Sequence, residues 1–262
     1  MPELPDVEDF RRTLDSCARG RRVEHVEVAD SGVLRGLTPQ RMRRALTGRT
    51  VAGSERRGKW LLARTDGPTL LLHFGMTGRL ACLGPEDRAA RHDRVTLALD
   101  DGRRLAYRDQ RKLRGLWLAF REEDVGRVIG DQGPDALSLT RSQLDGLLAG
   151  RRARVKAVLT DQSALAGLGN LLGDEILWRA RIAPARRADD LGPDERGRLA
   201  TALRQVLRDS VRAGHVPTRD SWLTGHRDDP DATCPRCGGP LARDRIAGRT
   251  TAWCPHCQRP AS

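Results

Sequence analysis

Residues 234–257 read CPRCGGPLARDRIAGRTTAWCPHC, two Cys-x2-Cys pairs separated by sixteen residues. Each pair lets two thiolates converge at a tight turn, and two such turns complete a tetrahedral four-sulfur site suited to zinc. Gly238, Gly239 and Pro240 supply turn chemistry after the first pair. Leu241–Arg245 and Arg249–Trp253 flank Ala247-Gly248 like the arms of a β-hairpin. His226 and His256 lie close by and could each replace a thiolate, although Cys234, Cys237, Cys254 and Cys257 already suffice. Closed four-thiolate sites are structural, so one Zn2+ is expected to fold this finger without taking part in catalysis. A redox Cys-x-x-Cys would need a thioredoxin-like βαβ context, which the flanking sequence does not offer. Cys17 and Cys82 read as small apolar core fillers. Disulfides are disfavoured, because the start MPELPDVEDFRR has no apolar stretch behind a basic one and is no secretory signal.

The chain around this finger has 262 residues, room for one large domain or two of moderate size with a genuine core. Charged residues make up 31% and the apolar set 38%, and no apolar run approaches the length of a membrane span. A cytoplasmic protein is expected. Its formal net charge is +12, which attracts polyanions through counterion release. Only three of the 47 basic side chains are Lys (Lys59, Lys112 and Lys156), and a bias this strong reflects coding preference. The three ammonium positions therefore stand out, since ammonium and guanidinium are not interchangeable. Aromatics are 3%, too few for a broad base-stacking platform.

Val7, Phe10, Leu14 and Cys17 fall at helical spacing, and Gly20 closes that helix. Val23, Val26 and Val28 suggest a strand, and Thr38-Pro39 a cap and first residue of a short helix. From Thr50 to Phe120 the pattern is β-like, with strands at Trp60–Ala63, Leu70–Phe74, Val95–Leu99, Leu105–Tyr107 and Leu116–Phe120. Asp66-Gly67 and Asp101-Gly102 are hairpin signals between them. Short strands with such turns argue for a sandwich or barrel. Gly126–Ser138 reads as a linker, and helices follow. One is headed by Lys156, a second starts near Leu171, and a third runs from Pro193 to Gly214. In the turn Ala166-Gly167-Leu168-Gly169-Asn170, two glycines permit close backbone approach and Asn170 is a good N-cap. Such a helix N-terminus suits a phosphate, but on this feature alone an ordinary capped interhelical turn is the preferred reading.

Read in order, several motifs resemble one family. They are MPELPDVE, Arg57-Gly58-Lys59-Trp60-Leu61-Leu62, His73-Phe74-Gly75-Met76-Thr77-Gly78, His92-Asp93, and Tyr107-Arg108-Asp109-Gln110-Arg111-Lys112. Gly133-Pro134, Gly167-Leu168-Gly169-Asn170 with Glu175, and the finger with Gly248-Arg249-Thr250 complete the set. The chain resembles the formamidopyrimidine-DNA glycosylase and endonuclease VIII family of bifunctional base-excision repair enzymes over nearly its whole length, and Leu4 leans toward the formamidopyrimidine branch. The resemblance implies an α+β multidomain fold. An N-terminal helix plus antiparallel β-sandwich forms a catalytic domain (1–125), followed by a linker (126–136). A helical helix–two-turn–helix DNA-binding domain (137–222) and a four-cysteine zinc finger hairpin (223–262) complete it. It also implies a DNA glycosylase with abasic-site lyase activity, acting as a monomer on damaged double-stranded DNA in the cytoplasm, at the nucleoid.

The same resemblance assigns residues. Removal of Met1 exposes Pro2 as a secondary amine; an α-amine has a pKa near 8, so a useful fraction is neutral at pH 7. Pro2 is then the Schiff-base nucleophile, Glu3 the acid/base at the sugar, and Lys59 a third catalytic residue that contacts the phosphate beside the lesion and helps protonation. Without the family, Glu3 would read as an exposed terminal carboxylate. His73, Asn170 and Arg249 resemble the phosphate clamp, which positions DNA without reading sequence. Met76 and Arg111 resemble the residues that fill the hole left by the flipped nucleotide, although Met76 suits a core equally. Lys156 resembles a lysine near the damaged nucleotide, and reads equally as a solvated helix residue. Glu175 reads first as a structural partner for a nearby Arg.

Three departures bear on the substrate. Leu113-Arg114-Gly115 stands where the family usually has Phe-Gly, and the stretch between Ser210 and Cys234 is short for a loop that caps 8-oxoguanine. Trp222-Leu223-Thr224-Gly225-His226-Arg227 replaces the usual approach to the first Cys of the finger. Weak 8-oxoguanine excision is expected, with better activity on ring-opened purines, oxidised pyrimidines, other adducts or abasic sites. The alternative function is a lesion- or abasic-site-binding protein with little turnover. A zinc-finger transcription regulator ranks last, because no recognition-helix motif is present.

Overall fold

Val7, Leu14 and Cys17 are buried on one side of the first helix, α1 (Leu4–Ala18), with Phe10 packed partly beside them, as the spacing predicts. The computed structural model describes residues 1–259. After α1 come β1 (Val23–Val28), α2 (Pro39–Leu46), β2 (Val51–Arg57), β3 (Trp60–Thr65), β4 (Thr69–His73), β5 (Arg79–Leu83), β6 (Asp93–Leu99), β7 (Arg104–Arg108) and β8 (Gly115–Ala119). Then follow α3 (Glu122–Ile129), α4 (Arg141–Leu148), α5 (Val155–Thr160), α6 (Asn170–Ala180), α7 (Pro193–Ala213), β9 (Ala242–Ile246) and β10 (Arg249–Trp253). Two units emerge, one of Met1–Pro2 with Asp6–Asp131, the other of Glu3–Pro5 with the chain from Gln132 onward.

In the first unit two four-stranded antiparallel sheets, ordered β1-β6-β7-β5 and β2-β3-β4-β8, form the sandwich. Val23, Val26, Leu97 and Leu99 of one sheet share a core with Leu61, Leu70 and Leu72 of the other. Strand residues alternate between faces. Trp60, Leu62 and Leu71 therefore fall on the opposite side of the second sheet, against Val125 and Ile129 of α3. That packing explains why a helix occupies 122–129, where the sequence suggests a linker from 126. Thr38 caps α2 as expected, its hydroxyl accepting from the Arg41 N–H at 3.2 Å.

Cys17 and Cys82 are not separate core fillers. A disulfide joins them, with Cα atoms 5.8 Å apart, and ties the end of α1 to β5. Cys82 lies on the exposed side of its strand, so its apolar character says little about its place.

In the second unit α6 is the central element. Leu172, Ile176 and Leu177 are fully buried, sharing a core with Leu4, Leu159 and Leu203. The finger belongs to the same unit, where Trp178 and Leu223 pack with Cys234 and Cys254. Ala247 (φ 49°) and Gly248 (φ 74°) make the two-residue turn between β9 and β10, in the left-handed conformation that such hairpins need. No helix among the described residues is long and apolar enough to cross a membrane.

Candidate functional site

Glu3 is fully buried, and its carboxylate sits on the N-terminus of α6. Oε2 accepts from the Gly169 N–H at 2.8 Å and the Leu172 N–H at 3.2 Å, and Oε1 from the Leu171 N–H at 2.8 Å. The first turn of a helix has unpaired N–H groups and the positive end of its dipole, so a carboxylate there satisfies both. The phosphate-ready terminus read from the sequence is thus filled by the chain's own acid, and Gly169, not Asn170, is the N-cap. Glycine is required: a Cβ on Gly169 would fall 2.2 Å from Cδ of Glu3, and one on Gly167 (φ +108°) would fall 2.5 Å from Cδ1 of Leu4. The next N–H, that of Leu4, donates to the Gly167 carbonyl at 3.1 Å. These contacts fix the chain immediately after Pro2, which is half-buried behind an exposed Met1.

In the first unit, Lys59 follows Gly58 (φ +57°) in the two-residue turn between β2 and β3. His73 ends β4 with its ring against Trp60, centroids 4.8 Å apart. Burial, with the charges of Arg114 and Lys59 adding to it, lowers the His73 pKa to about 4. The ring is therefore neutral at pH 7. Its Nδ1 accepts the Gly75 N–H at 3.0 Å, which leaves the proton on Nε2, able to donate to an anion.

Met76 and Arg111, placed together by the resemblance alone, do meet: an Arg111 guanidinium nitrogen lies 3.2 Å from Sδ of Met76. Met76 is 41% exposed, which removes the core reading, and Leu113 beside Arg111 is 50% exposed. Their loops are held by Asp109 and Thr77, which the spacing alone does not single out. The Thr77 hydroxyl donates to Oδ1 of buried Asp109 at 2.6 Å, and the Arg111 N–H reaches both, at 3.0 and 3.1 Å.

Lys156 is not a solvated residue. It is 1% exposed, with Nζ 2.5 Å from Oδ1 of Asp174 and 2.6 Å from the Thr251 hydroxyl. Burial pulls the Lys156 ammonium down and pushes the Asp174 carboxyl up in pKa, and their mutual attraction opposes both. Arg227 completes the cluster by donating to Oδ2 of Asp174 at 2.9 Å and to the Thr250 carbonyl at 3.1 Å. Nδ2 of Asn170 donates to that same carbonyl at 2.8 Å, and its Oδ1 has no partner among the described residues. Arg249 is exposed beside them, 3.4 Å from the Thr160 hydroxyl. So Lys156, Asn170 and Arg249 do converge, on the β9–β10 hairpin, but Lys156 faces inward. Asp174 was legible only as an acid inside the apolar run LLGDEILW. Glu175 pairs with Arg179 at 2.7 Å and accepts the Thr224 N–H at 3.2 Å, the structural role expected of it.

The sulfurs of Cys234, Cys237, Cys254 and Cys257 all lie within 4.8 Å of one another. Cys234–Cys257 and Cys237–Cys254 are 3.9 and 3.6 Å apart. Metal–sulfur bonds of roughly 2.3 Å in a tetrahedron require sulfurs about 3.8 Å apart, so the donor set fits one metal ion. The Trp178 Nε1–H points at Cys234 Sγ at 3.3 Å, the kind of outer contact that orients a ligand.

Residues 1–116 match the formamidopyrimidine-DNA glycosylase N-terminal domain, 132–221 the formamidopyrimidine-DNA glycosylase H2TH domain, and 233–260 the zinc finger found in FPG and IleRS. The formamidopyrimidine-DNA glycosylase of Heliobacterium modesticaldum is 39% identical over 99% of this chain and 100% of its own. That of Alkalilimnicola ehrlichii is 37% identical with the same coverage. Among solved structures, the Lactococcus lactis enzyme non-covalently bound to DNA containing an AP site superimposes with a TM-score of 0.87 at 26% identity, covering 99% and 100% of the two chains. The same enzyme with FAPY-dG-containing DNA gives 0.87 at 26%, covering 98% and 100%. This chain belongs to the formamidopyrimidine-DNA glycosylase family, the DNA glycosylases of base-excision repair.

Proposed function

We propose that this glycosylase is bifunctional, with Pro2 as its nucleophile once Met1 is removed. The neutral secondary amine attacks C1′ of the damaged deoxynucleotide and the bond to the base breaks. The proton released by the nitrogen passes to the Glu3 carboxylate and on to the opening sugar-ring oxygen. A secondary amine yields an iminium that stays cationic, an electron sink for loss of the 3′-phosphate by β-elimination and the 5′-phosphate by δ-elimination. The observation that carries this reading is the burial of Glu3 on three backbone donors, which anchors the chain one residue after Pro2.

Lys59, the Nε2–H of His73, Asn170 and Arg249 contact the phosphates of a kinked, damaged duplex. Met76 and Arg111 enter the stack where a nucleotide has been extruded, a step that costs a few kcal/mol. Lys156 acts through the hairpin that carries Arg249. The four thiolates hold one structural Zn2+, which keeps that hairpin folded and takes no part in the reaction. The enzyme works as a monomer in the cytoplasm, at the nucleoid.

The lesion preference lies away from 8-oxoguanine. Val216, Trp222, Leu223 and Thr224 of the stretch between α7 and the finger are buried, so little of it is left to cap a purine. The exposed Leu113 offers a smaller stacking wedge than an aromatic. A panel of duplexes carrying ring-opened purines, oxidised pyrimidines, 8-oxoguanine and abasic sites tests this. Incision leaving phosphate at both ends, weakest for 8-oxoguanine, is expected. Base loss without strand cutting contradicts the lyase, and a clear preference for 8-oxoguanine opposite cytosine contradicts the substrate reading.

A further inference from the structure

On the first unit a groove of about 440 Å³ lies between α2, the β3–β4 turn and the end of β8. Arg41, Arg44 and Arg49 line it together with Gly67 and Phe120. Met42 and Leu46 point α2 into the core, which turns Arg41 and Arg44, neighbours at i and i+3, toward solvent. The backbone of Arg49 is pinned by its N–H to the Leu46 carbonyl at 3.1 Å and by its carbonyl to the Val23 N–H at 2.8 Å. Its guanidinium lies over Gly67, where an added Cβ would come within 2.9 Å of Nε. Phe120 is 52% exposed, with the Arg41 guanidinium 5.5 Å from its ring centroid.

What separates this groove from other arginine clusters is the absence of compensating acid. On the neighbouring strands, Arg57 and Arg64 are both tied to Glu55 and Glu122. In the larger groove of the second unit, Arg141, Arg179 and Arg198 face Asp145, Glu175 and Glu195. No carboxylate lines the Arg41–Arg44–Arg49 groove, and none of the three forms an ion pair among the described residues. Asp66, the residue before Gly67, accepts the Thr50 N–H at 3.1 Å and forms no ion pair with the three among the described residues. The groove is also remote from Lys59. The β3–β4 turn and the Gly58-Lys59 turn are at opposite ends of β3, six residues or about 20 Å apart.

Three uncompensated guanidiniums around one exposed ring match the chemistry of a single nucleic-acid strand, phosphates on arginines and a base on an aromatic face. We propose that this groove is a second DNA site that holds a short single-stranded segment, one base on Phe120 with its flanking phosphates on Arg41, Arg44 and Arg49. A single ring limits the stacking to one base, in keeping with the few aromatics in the chain.

The test uses the whole protein saturated with a duplex containing a non-cleavable abasic-site analogue. A fluorescein-labelled oligo(dT) of eight nucleotides is then titrated and followed by anisotropy across a salt series. Binding to the saturated complex is expected. It should weaken about tenfold in Phe120→Ala. In the Arg41→Gln/Arg44→Gln double variant the slope of log affinity against log salt should fall by roughly 1.4, from two lost phosphate contacts. Incision of an abasic duplex and the melting temperature should be unchanged in both variants. Failure of the oligonucleotide to bind the saturated complex, or equal binding by wild type and either variant, overturns the proposal. Incision, read separately, reports on the Pro2 site alone.

Discussion

Glu3 and Leu171 are 168 positions apart in the chain, yet the carboxylate of one accepts the backbone N–H of the other at 2.8 Å. Gly169 makes this approach possible, and Leu172 supplies a third donor. Glu3→Gln keeps the shape but replaces one acceptor by a donor, which should cost about 1–3 kcal/mol of stability. If the carboxylate also moves the proton, base excision should fall by roughly 100-fold or more while abasic-duplex binding persists. Gly169→Ala, whose Cβ collides with Glu3, should reproduce that loss without touching the carboxyl chemistry. Melting curves beside single-turnover excision separate the two effects. Full activity in a destabilised Glu3→Gln enzyme would reduce Glu3 to a cap.

Lys156 offers a sharper division between contact and support. Lys156→Met leaves buried Asp174 with Arg227 as its one charged partner among the described residues, beside the Ala252 N–H, and should destabilise the second unit by roughly 3–5 kcal/mol. Lys156→Met/Asp174→Asn should recover part of this. If the lysine acts through the hairpin, its loss weakens DNA binding without changing the salt slope. A direct phosphate contact would lower that slope by about 0.9. Affinity measured over a salt series in the double variant distinguishes them.

His73 should make stability fall with acidity in a defined window. Its folded pKa, about 4, lies below the 6.5 of an unfolded chain, because burial and the Arg114 and Lys59 charges oppose protonation. Between these values the unfolded state binds the proton and the folded state does not. The contribution is intact above about pH 6.5 and is lost as pH falls toward 4, on the order of 3 kcal/mol in all. Denaturant midpoints from pH 7 to pH 4 should drop less in His73→Gln than in wild type. Parallel curves would contradict the assignment.

The four thiolates predict one zinc per chain by elemental analysis. Removing it with a strong chelator, or Cys237→Ser, should unfold the finger, because its folding free energy is largely metal binding. Arg249 rides on that hairpin, so DNA affinity should fall at least tenfold. Metal-free protein that binds DNA like wild type would refute the site.

The clearest signals in the sequence came from residues that repeat or must be special. Four cysteines at knuckle spacing fixed the finger, and the apolar periods of α1 and α7 fixed those helices. Strands β2 and β5 were not singled out, because VAGSERR and RLACL bury few residues and show little apolar alternation. Met76 and Arg111 were legible only through the family's order of motifs, since nothing local says that two loops 35 residues apart will touch. Lys156 reads equally as a solvated residue because its neighbours Arg151, Arg152 and Arg154 are exposed, and nothing local marks it as buried. Its acid partner lies eighteen residues on, in another helix. The Cys17–Cys82 link was invisible for a related reason: a pairing across 65 residues leaves no spacing to read.

The role of Pro2 as nucleophile is tested most directly by trapping its adduct. Sodium borohydride added during reaction with an abasic duplex should trap a covalent adduct, and peptide mass mapping should place the reduced sugar on Pro2 of a chain lacking Met1. A fully active enzyme whose adduct maps to Lys59, or whose terminus still carries Met1, would contradict it.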